Sequence, residues 1–163
     1  MFATREQLIH AGASVIIDAY EGGSCGLASW AVCYGTYKWA SEKGQGELGK
    51  RMTSASVTLY DLEACEPQDE EGEEGTGFSS WGQWYKFGKP LPIDAEMVAD
   101  FIVEVATGKR DLSQIPEHGR MSDSTLKALI LAYYDIGDPF ADWDCINADQ
   151  VIQTILLGEV IYG

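Results

Sequence analysis

Cysteine and histidine are the residues of this chain best suited to nucleophilic chemistry. Of four cysteines and two histidines, Cys25 and His118 are the best-placed pair, because His118 lies in a loop-like segment and His10 falls within a predicted helix. A thiolate nucleophile needs a base such as histidine within hydrogen-bond reach. Acidic surroundings raise the pKa of a thiol and so disfavour the thiolate. A cysteine-dependent hydrolase that uses Cys25 and His118 is therefore an alternative function, and not the leading one.

Aspartates between residues 135 and 149 form a second group that could do chemistry. Carboxylate and amide oxygens are the ligands that calcium and magnesium prefer. An EF-hand loop needs acids at alternating positions, a central glycine and a final glutamate, and this segment does not supply that pattern. We therefore predict no metal site and no cofactor. The alternative cation site consists of Asp142, Asp144 and Asn147.

Two short segments match known functional motifs only in part. Residues 23–32 superficially resemble the active-site segment of papain-like cysteine proteases, in which a cysteine precedes a tryptophan. Here Ser29 precedes Trp30, and Cys25 matches only the family's non-catalytic cysteine, so the resemblance implies no nucleophile. Residues 44–49 match the spacing G-x-G-x-x-G but lack the preceding strand and following helix of a dinucleotide site.

Acidity is the dominant feature of the composition: 26 Asp and Glu against 11 Lys and Arg give a formal charge of −15. Nucleic-acid binding depends on basic residues that neutralise phosphates, and anionic membranes attract basic segments. We therefore predict no direct binding to nucleic acid or to a membrane, and a basic protein as partner. The N-terminal segment lacks the basic and apolar regions of a signal peptide, so we expect a cytoplasmic protein with reduced cysteines.

The most regular charge pattern is a row of acids on one predicted helix. Glu96, Asp100 and Glu104 repeat every four residues, which places them about 6 Å apart along the helix axis. No lysine or arginine stands between Pro90 and Lys109, so the sequence predicts a row without basic partners. Its linear charge density is comparable to that of a DNA strand, which carries one phosphate about every 3.4 Å.

Hydrophobic periodicity and turn residues predict the elements that position these groups. We expect helices that begin at Thr4, Asp94, Ser122 or Ser124, and Asn147, and strands over residues 29–40, 53–62 and 81–87. Residues 29–40 also suit a helix. Residues 65–80 indicate an acidic flexible loop. The predicted fold is a single α+β domain, with a small antiparallel sheet of about three strands and about four flanking helices.

These observations favour an acidic interaction protein over an enzyme. We expect it to bind and inhibit a basic, nucleic-acid-binding protein, in the manner of DNA mimics that block a host nuclease or defence complex. An immunity or antitoxin-like protein for one cognate toxin is the alternative within the same class. The residues expected at the partner surface are Glu96, Asp100, Glu104, Glu70, Glu71, Glu73, Glu74, Trp81 and Trp84.

Overall fold

The computed structural model describes residues 1–22, 26–32, 36–41, 52–72, 75–78 and 82–162. These residues form four α-helices and two small antiparallel sheets, which confirms the predicted α+β class. The helices are α1 (Arg5–Glu21), α2 (Ala95–Ala106), α3 (Asp123–Tyr133) and α4 (Cys145–Leu157). The strands are β1 (Ala31–Val32), β2 (Lys38–Ser41), β3 (Met52–Asp61), β4 (Glu66–Gln68), β5 (Thr76–Phe78), β6 (Trp84–Lys86) and β7 (Leu91–Asp94).

Helix α1 lies at the centre of the core and packs against α2, α4 and β3. The predicted capping box closes its first turn: Thr4 Oγ1 accepts from the Gln7 amide at 3.2 Å, and Gln7 Oε1 accepts from the Thr4 amide at 2.8 Å. Gly12 allows the close approach of α2, because a methyl group at this position would overlap the carbonyl oxygen of Ala95.

Strand β3 organises the larger sheet by pairing antiparallel with β1, β2 and β7. Ala55, Val57 and Leu59 are buried and alternate with less buried neighbours, as expected where one face of a strand covers the core. The strand predicted over residues 53–62 is confirmed within one residue at each end. The segment 29–40 is not a single strand, because a 3₁₀ turn at Leu27–Ser29 runs into β1, and β2 begins only at Lys38.

Two strands of the smaller sheet lie within residues 65–80, where the sequence predicts an acidic flexible loop. Strands β4 and β5 both fall within residues 65–80, and each pairs antiparallel with β6. This segment is therefore partly strand. The rings of Tyr60 and Phe87 stack with centroids 4.1 Å apart, and this contact joins the end of β3 to the chain that leaves β6.

Side-chain caps set the starts of the other three helices. The predicted cap of α2 is confirmed, because Asp94 accepts from the Met97 amide at 2.8 Å. Of the two candidates for the start of α3, Ser122 is the cap, and it accepts from the Thr125 amide at 3.2 Å. The predicted start of α4 is wrong. Its cap is Asp144, and Asn147 is the third helical residue, whose side chain accepts from the Asp144 amide at 3.2 Å. Asn147 thus completes a capping box.

A buried polar network holds the C-terminal segment against the core. Asp149 is only 5% exposed and accepts from Trp30 Nε1 and from Gln153 Nε2, both at 2.8 Å. Gln153 Oε1 accepts from the amides of Ile161 and Tyr162, each at 2.8 Å. Burial raises the pKa of Asp149 despite these two hydrogen bonds.

The expectation that all cysteines are reduced is wrong for Cys145. Cys145, at the start of α4, is disulfide-bonded, and its side chain packs against Gly22 and Gly26. Cys65 is buried and free. Among the helices of the described ranges, none has the length and apolar character needed to cross a lipid bilayer.

Candidate functional site

The acid row of α2 is paired with arginines from elsewhere in the chain. Arg5 Nη1 lies 2.6 Å from Asp100 Oδ1, and Arg5 Nη2 lies 3.6 Å from Glu96 Oε2. Arg110 Nη1 lies 3.9 Å from Glu104 Oε2. The prediction of a row without basic partners is therefore wrong, because α1 packs on α2 and brings Arg5 alongside it. The row remains exposed and keeps a net negative charge, because its three carboxylates share two arginines.

The acids of the β4–β5 connection are only partly described. Glu70 and Glu71 are exposed, and neither forms an ion pair with a base in the described ranges. Trp84 is half-buried in β6, where it stands opposite Gln68 and Phe78 in the strand register. The predictions for Glu73, Glu74 and Trp81 concern residues outside the described ranges.

Two residues of the alternative cation site, Asp144 and Asn147, serve the start of α4 instead. Asp144 Oδ1 accepts from the amides of Ile146 and Asn147, at 2.9 and 3.0 Å. Asn147 Nδ2 donates to Thr125 Oγ1 at 2.9 Å, which links α4 to α3. Asp142 is exposed on the turn before the cap. Over the described ranges, no group of three histidine, cysteine or acidic side chains is arranged to hold a metal ion.

The alternative nucleophile pair is not assembled from described residues. Cys25 lies outside the described ranges, and His118 is exposed in a 3₁₀ turn at Glu117–Gly119. Burial raises the pKa of the Cys65 thiol, which keeps it in the unreactive protonated form at neutral pH. Cys145 is unavailable as a nucleophile because it is disulfide-bonded.

A cleft beside α1, which we call the α1 cleft, is the site that sequence reasoning missed. Its volume is about 620 Å³, within the range typical of ligand pockets. One wall is a single face of α1, and the other is the turn that follows α3. The lining residues are Gln7, His10, Ala11, Ser14, Asp18, Ala132, Asp135, Gly137, Asp138, Pro139 and Phe140. From Gln7 to Asp18 the helix rises about 16 Å, so the cleft is elongated along α1.

The charge of the α1 cleft is negative. Asp18, Asp135 and Asp138 line it, and no lysine or arginine does so among the described lining residues. Burial and the neighbouring Glu21 raise the pKa of Asp18. The last turn of α1 contains no basic residue, so no cation there offsets the unfavourable position of Asp18 and Glu21 near the negative end of the helix dipole. The fold thus places negative charge here at a cost in stability.

Hydrogen bonds fix the polar side chains along the cleft. Gln7 Nε2 donates to Asp135 Oδ2 at 2.9 Å and joins the two walls. His10 Nδ1 accepts from the Met52 amide at 2.8 Å, which anchors the ring to β3. Asp135 adopts a left-handed conformation with φ of 53°, which only glycine, asparagine and aspartate adopt readily. These contacts organise the cleft before any ligand binds.

Exposed apolar side chains, which we call the apolar rim, border the turn that forms the outer wall. The apolar rim consists of Phe2, Tyr134 and Ile136, which are 62%, 38% and 55% exposed. The Phe2 ring lies 5.5 Å from that of Tyr134, and the Ala3 amide donates to the Tyr133 carbonyl at 2.8 Å. The chain start is therefore held against the end of α3. An apolar patch with charged neighbours is the usual anatomy of a protein interface.

A faint signal of the cleft exists in the sequence. Gln7, His10, Ser14 and Asp18 recur at spacings of three or four residues and mark a polar stripe on α1. Nothing local indicates that the turn after α3 packs beside that stripe. Comparison of the chain with protein-family models, curated proteins and solved structures finds no match.

Proposed function

We propose that this chain is an acidic interaction protein that binds and inhibits a basic, nucleic-acid-binding protein partner. The observation that carries the proposal is the surface formed by the apolar rim and the turn over residues 134–144. It presents Asp135, Asp138 and Asp142, none of which is in an ion pair with a described base. A charged surface around exposed apolar anchors suits a partner of opposite charge.

The charges divide into two roles under this proposal. The α2 row and the acids of the β4–β5 connection, including Glu70 and Glu71, contribute long-range attraction that accelerates encounter with a basic surface. The turn over residues 134–144 and the apolar rim make the close contacts that slow dissociation. Inhibition follows because a partner surface covered by this protein is no longer accessible to nucleic acid.

Capture from extracts of the native host tests the proposal. The immobilised protein is incubated with nuclease-treated extract, and bound proteins are eluted by raising salt from about 0.05 M to about 0.5 M, over which charge screening becomes strong. We expect a basic nucleic-acid-binding protein to elute in the gradient. A variant with Asp135, Asp138 and Asp142 changed to asparagine is the control, and it should retain less of the basic partner. Recovery of only acidic or neutral proteins, equally from both resins, contradicts the proposal.

A further inference from the structure

The α1 cleft combines three features that together fit one side chain. It is negatively charged, it is elongated, and one of its walls carries the half-buried ring of Phe140. A guanidinium group pairs with carboxylates through a planar fork of donors and stacks on aromatic faces, whereas an ammonium group is a compact and strongly hydrated charge. A neutral acceptor is also present, since Ser14 lines the same space.

We propose that the α1 cleft is a docking site for an arginine-bearing segment of the basic partner. This inference rests on the proposed function, and it names the contact through which the partner is held. Asp18, Asp135 and Asp138 supply the carboxylates, and Phe140 supplies the aromatic face. The apolar rim adjoins the outer wall of the cleft, so a segment that places arginine in the cleft also covers exposed apolar surface.

The arrangement of charge argues that the cleft is maintained for binding and not for stability. Two acids at the C-terminal end of α1 oppose the helix dipole, and Asp18 has no basic partner among the described residues of the cleft wall. Local features that cost stability tend to occur at functional sites. An incoming guanidinium offsets all of these costs together, because it neutralises the carboxylates as it displaces water from them.

The direct test is binding of a hexa-arginine peptide. Calorimetry measures its affinity, and the methyl NMR signals of Ala11 and Ala132, which line the cleft, report where it binds. We expect salt-sensitive binding, shifts of both methyl signals, and a dissociation constant lower than that of hexalysine. Asp18→Asn should weaken binding about tenfold, equivalent to about 1.4 kcal/mol. Asp69→Asn is the matched control, because Asp69 is exposed and lies outside the cleft, and it should bind like the unmodified protein.

A second variant separates the aromatic contribution from general charge attraction. Phe140→Leu keeps the net charge and should remove most of the preference for arginine over lysine. Equal binding by the Asp18→Asn and Asp69→Asn variants, with unshifted Ala11 and Ala132 signals, overturns the cleft proposal. In that case the proposed function still stands if extract capture recovers a basic partner. Failure of that capture rejects the proposed function whatever the peptide does.

Discussion

The guanidinium of Arg5 lies 2.6 Å from the carboxylate of Asp100, and this contact joins the first turn of α1 to the middle of α2. It converts part of the acid row from a free charged face into a helix–helix contact. Both side chains are largely exposed, at 46% and 66%, so the pair contributes at most about 1 kcal/mol to stability. Its main consequence is that the strongest unpaired acidity lies elsewhere on the molecule.

Neutralising the α2 row should slow association with the partner without changing dissociation. We predict that the triple variant Glu96→Gln, Asp100→Asn and Glu104→Gln lowers the association rate constant about tenfold at low salt, because it removes long-range attraction only. Surface plasmon resonance with the captured partner measures both rate constants. An increase in the dissociation rate constant would instead place the row inside the contact.

Replacing an anchor of the apolar rim should have the opposite kinetic signature. We predict that Ile136→Ser raises the dissociation rate constant about tenfold and leaves the association rate constant nearly unchanged, since it removes apolar contact and no charge. Because Ile136 is 55% exposed, the variant should unfold in urea at the same concentration as the unmodified protein. Ile146→Ser is the matched control, because Ile146 is similarly exposed at 49% but is not part of the apolar rim.

The free energy of unfolding should fall as pH rises above the ordinary pKa of an aspartate. The pKa of Asp149 is raised in the folded protein by burial, so the folded state binds more protons than the unfolded state in this window. Stability from this group is therefore complete below its unfolded pKa, near 3.8, and is lost as pH rises through the folded pKa. Asp18 acts in the same direction.

Urea unfolding between about pH 4 and about pH 7 checks this dependence. Asp149→Asn should flatten the slope, even though it loses one acceptor and is less stable overall. Asp69→Asn removes an exposed carboxylate and should leave the slope unchanged. A slope that is identical in Asp149→Asn and the unmodified protein would exclude Asp149 as its source.

Asp144 should contribute to stability as a helix cap and not as a metal ligand. We predict that Asp144→Ala lowers the free energy of unfolding by about 1 kcal/mol, since two amides of the first turn of α4 lose their acceptor. Thermal unfolding with calcium and with a chelator provides the measurement. The midpoint of the unmodified protein should be the same in both solutions, and an increase with calcium would restore the cation site as a candidate.

The close approach of α1 and α2 predicts an unusual response to a helix-favouring substitution. Alanine is a better helix former than glycine by about 1 kcal/mol, yet Gly12→Ala should destabilise the protein by about 1–3 kcal/mol. The added methyl group overlaps the Ala95 carbonyl oxygen, which is backbone and cannot rotate away. Urea unfolding measures the difference, and a gain in stability would show that the two helices can separate at little cost.

Local rules predicted the helices well and the contacts between them poorly. The caps Thr4 and Asp94 were identified, and that of α3 was narrowed to Ser122 or Ser124, because a cap bonds to an amide two or three residues away. The start of α4 was misplaced because aspartate and asparagine are both common caps. Asp144 and Asn147 form a capping box together, and the sequence does not show which of the two is the cap. Pairings across the fold have no such local signature. Arg5 meets Asp100 across 95 residues, and Trp30 meets Asp149 across 119.

The α1 cleft was missed for the same reason, since its two walls are far apart in the chain. Gln7 and Asp135 are 128 residues apart, and only the packing of α1 beside the end of α3 brings them together. The acidity of residues 135–149 was visible in the sequence. Its division into exposed Asp135, Asp138 and Asp142 and buried Asp149 depends on tertiary burial, which composition does not determine.

Competition with DNA for the captured partner tests the central claim most directly. A labelled DNA duplex bound to that partner has high fluorescence anisotropy, and this protein is then titrated into the complex. If it covers the partner's nucleic-acid-binding surface, the anisotropy falls to the value of free DNA, and the titration midpoint rises for Asp18→Asn but not for Asp69→Asn. Anisotropy that stays at the level of the complex, at protein concentrations that saturate the partner, would contradict the account.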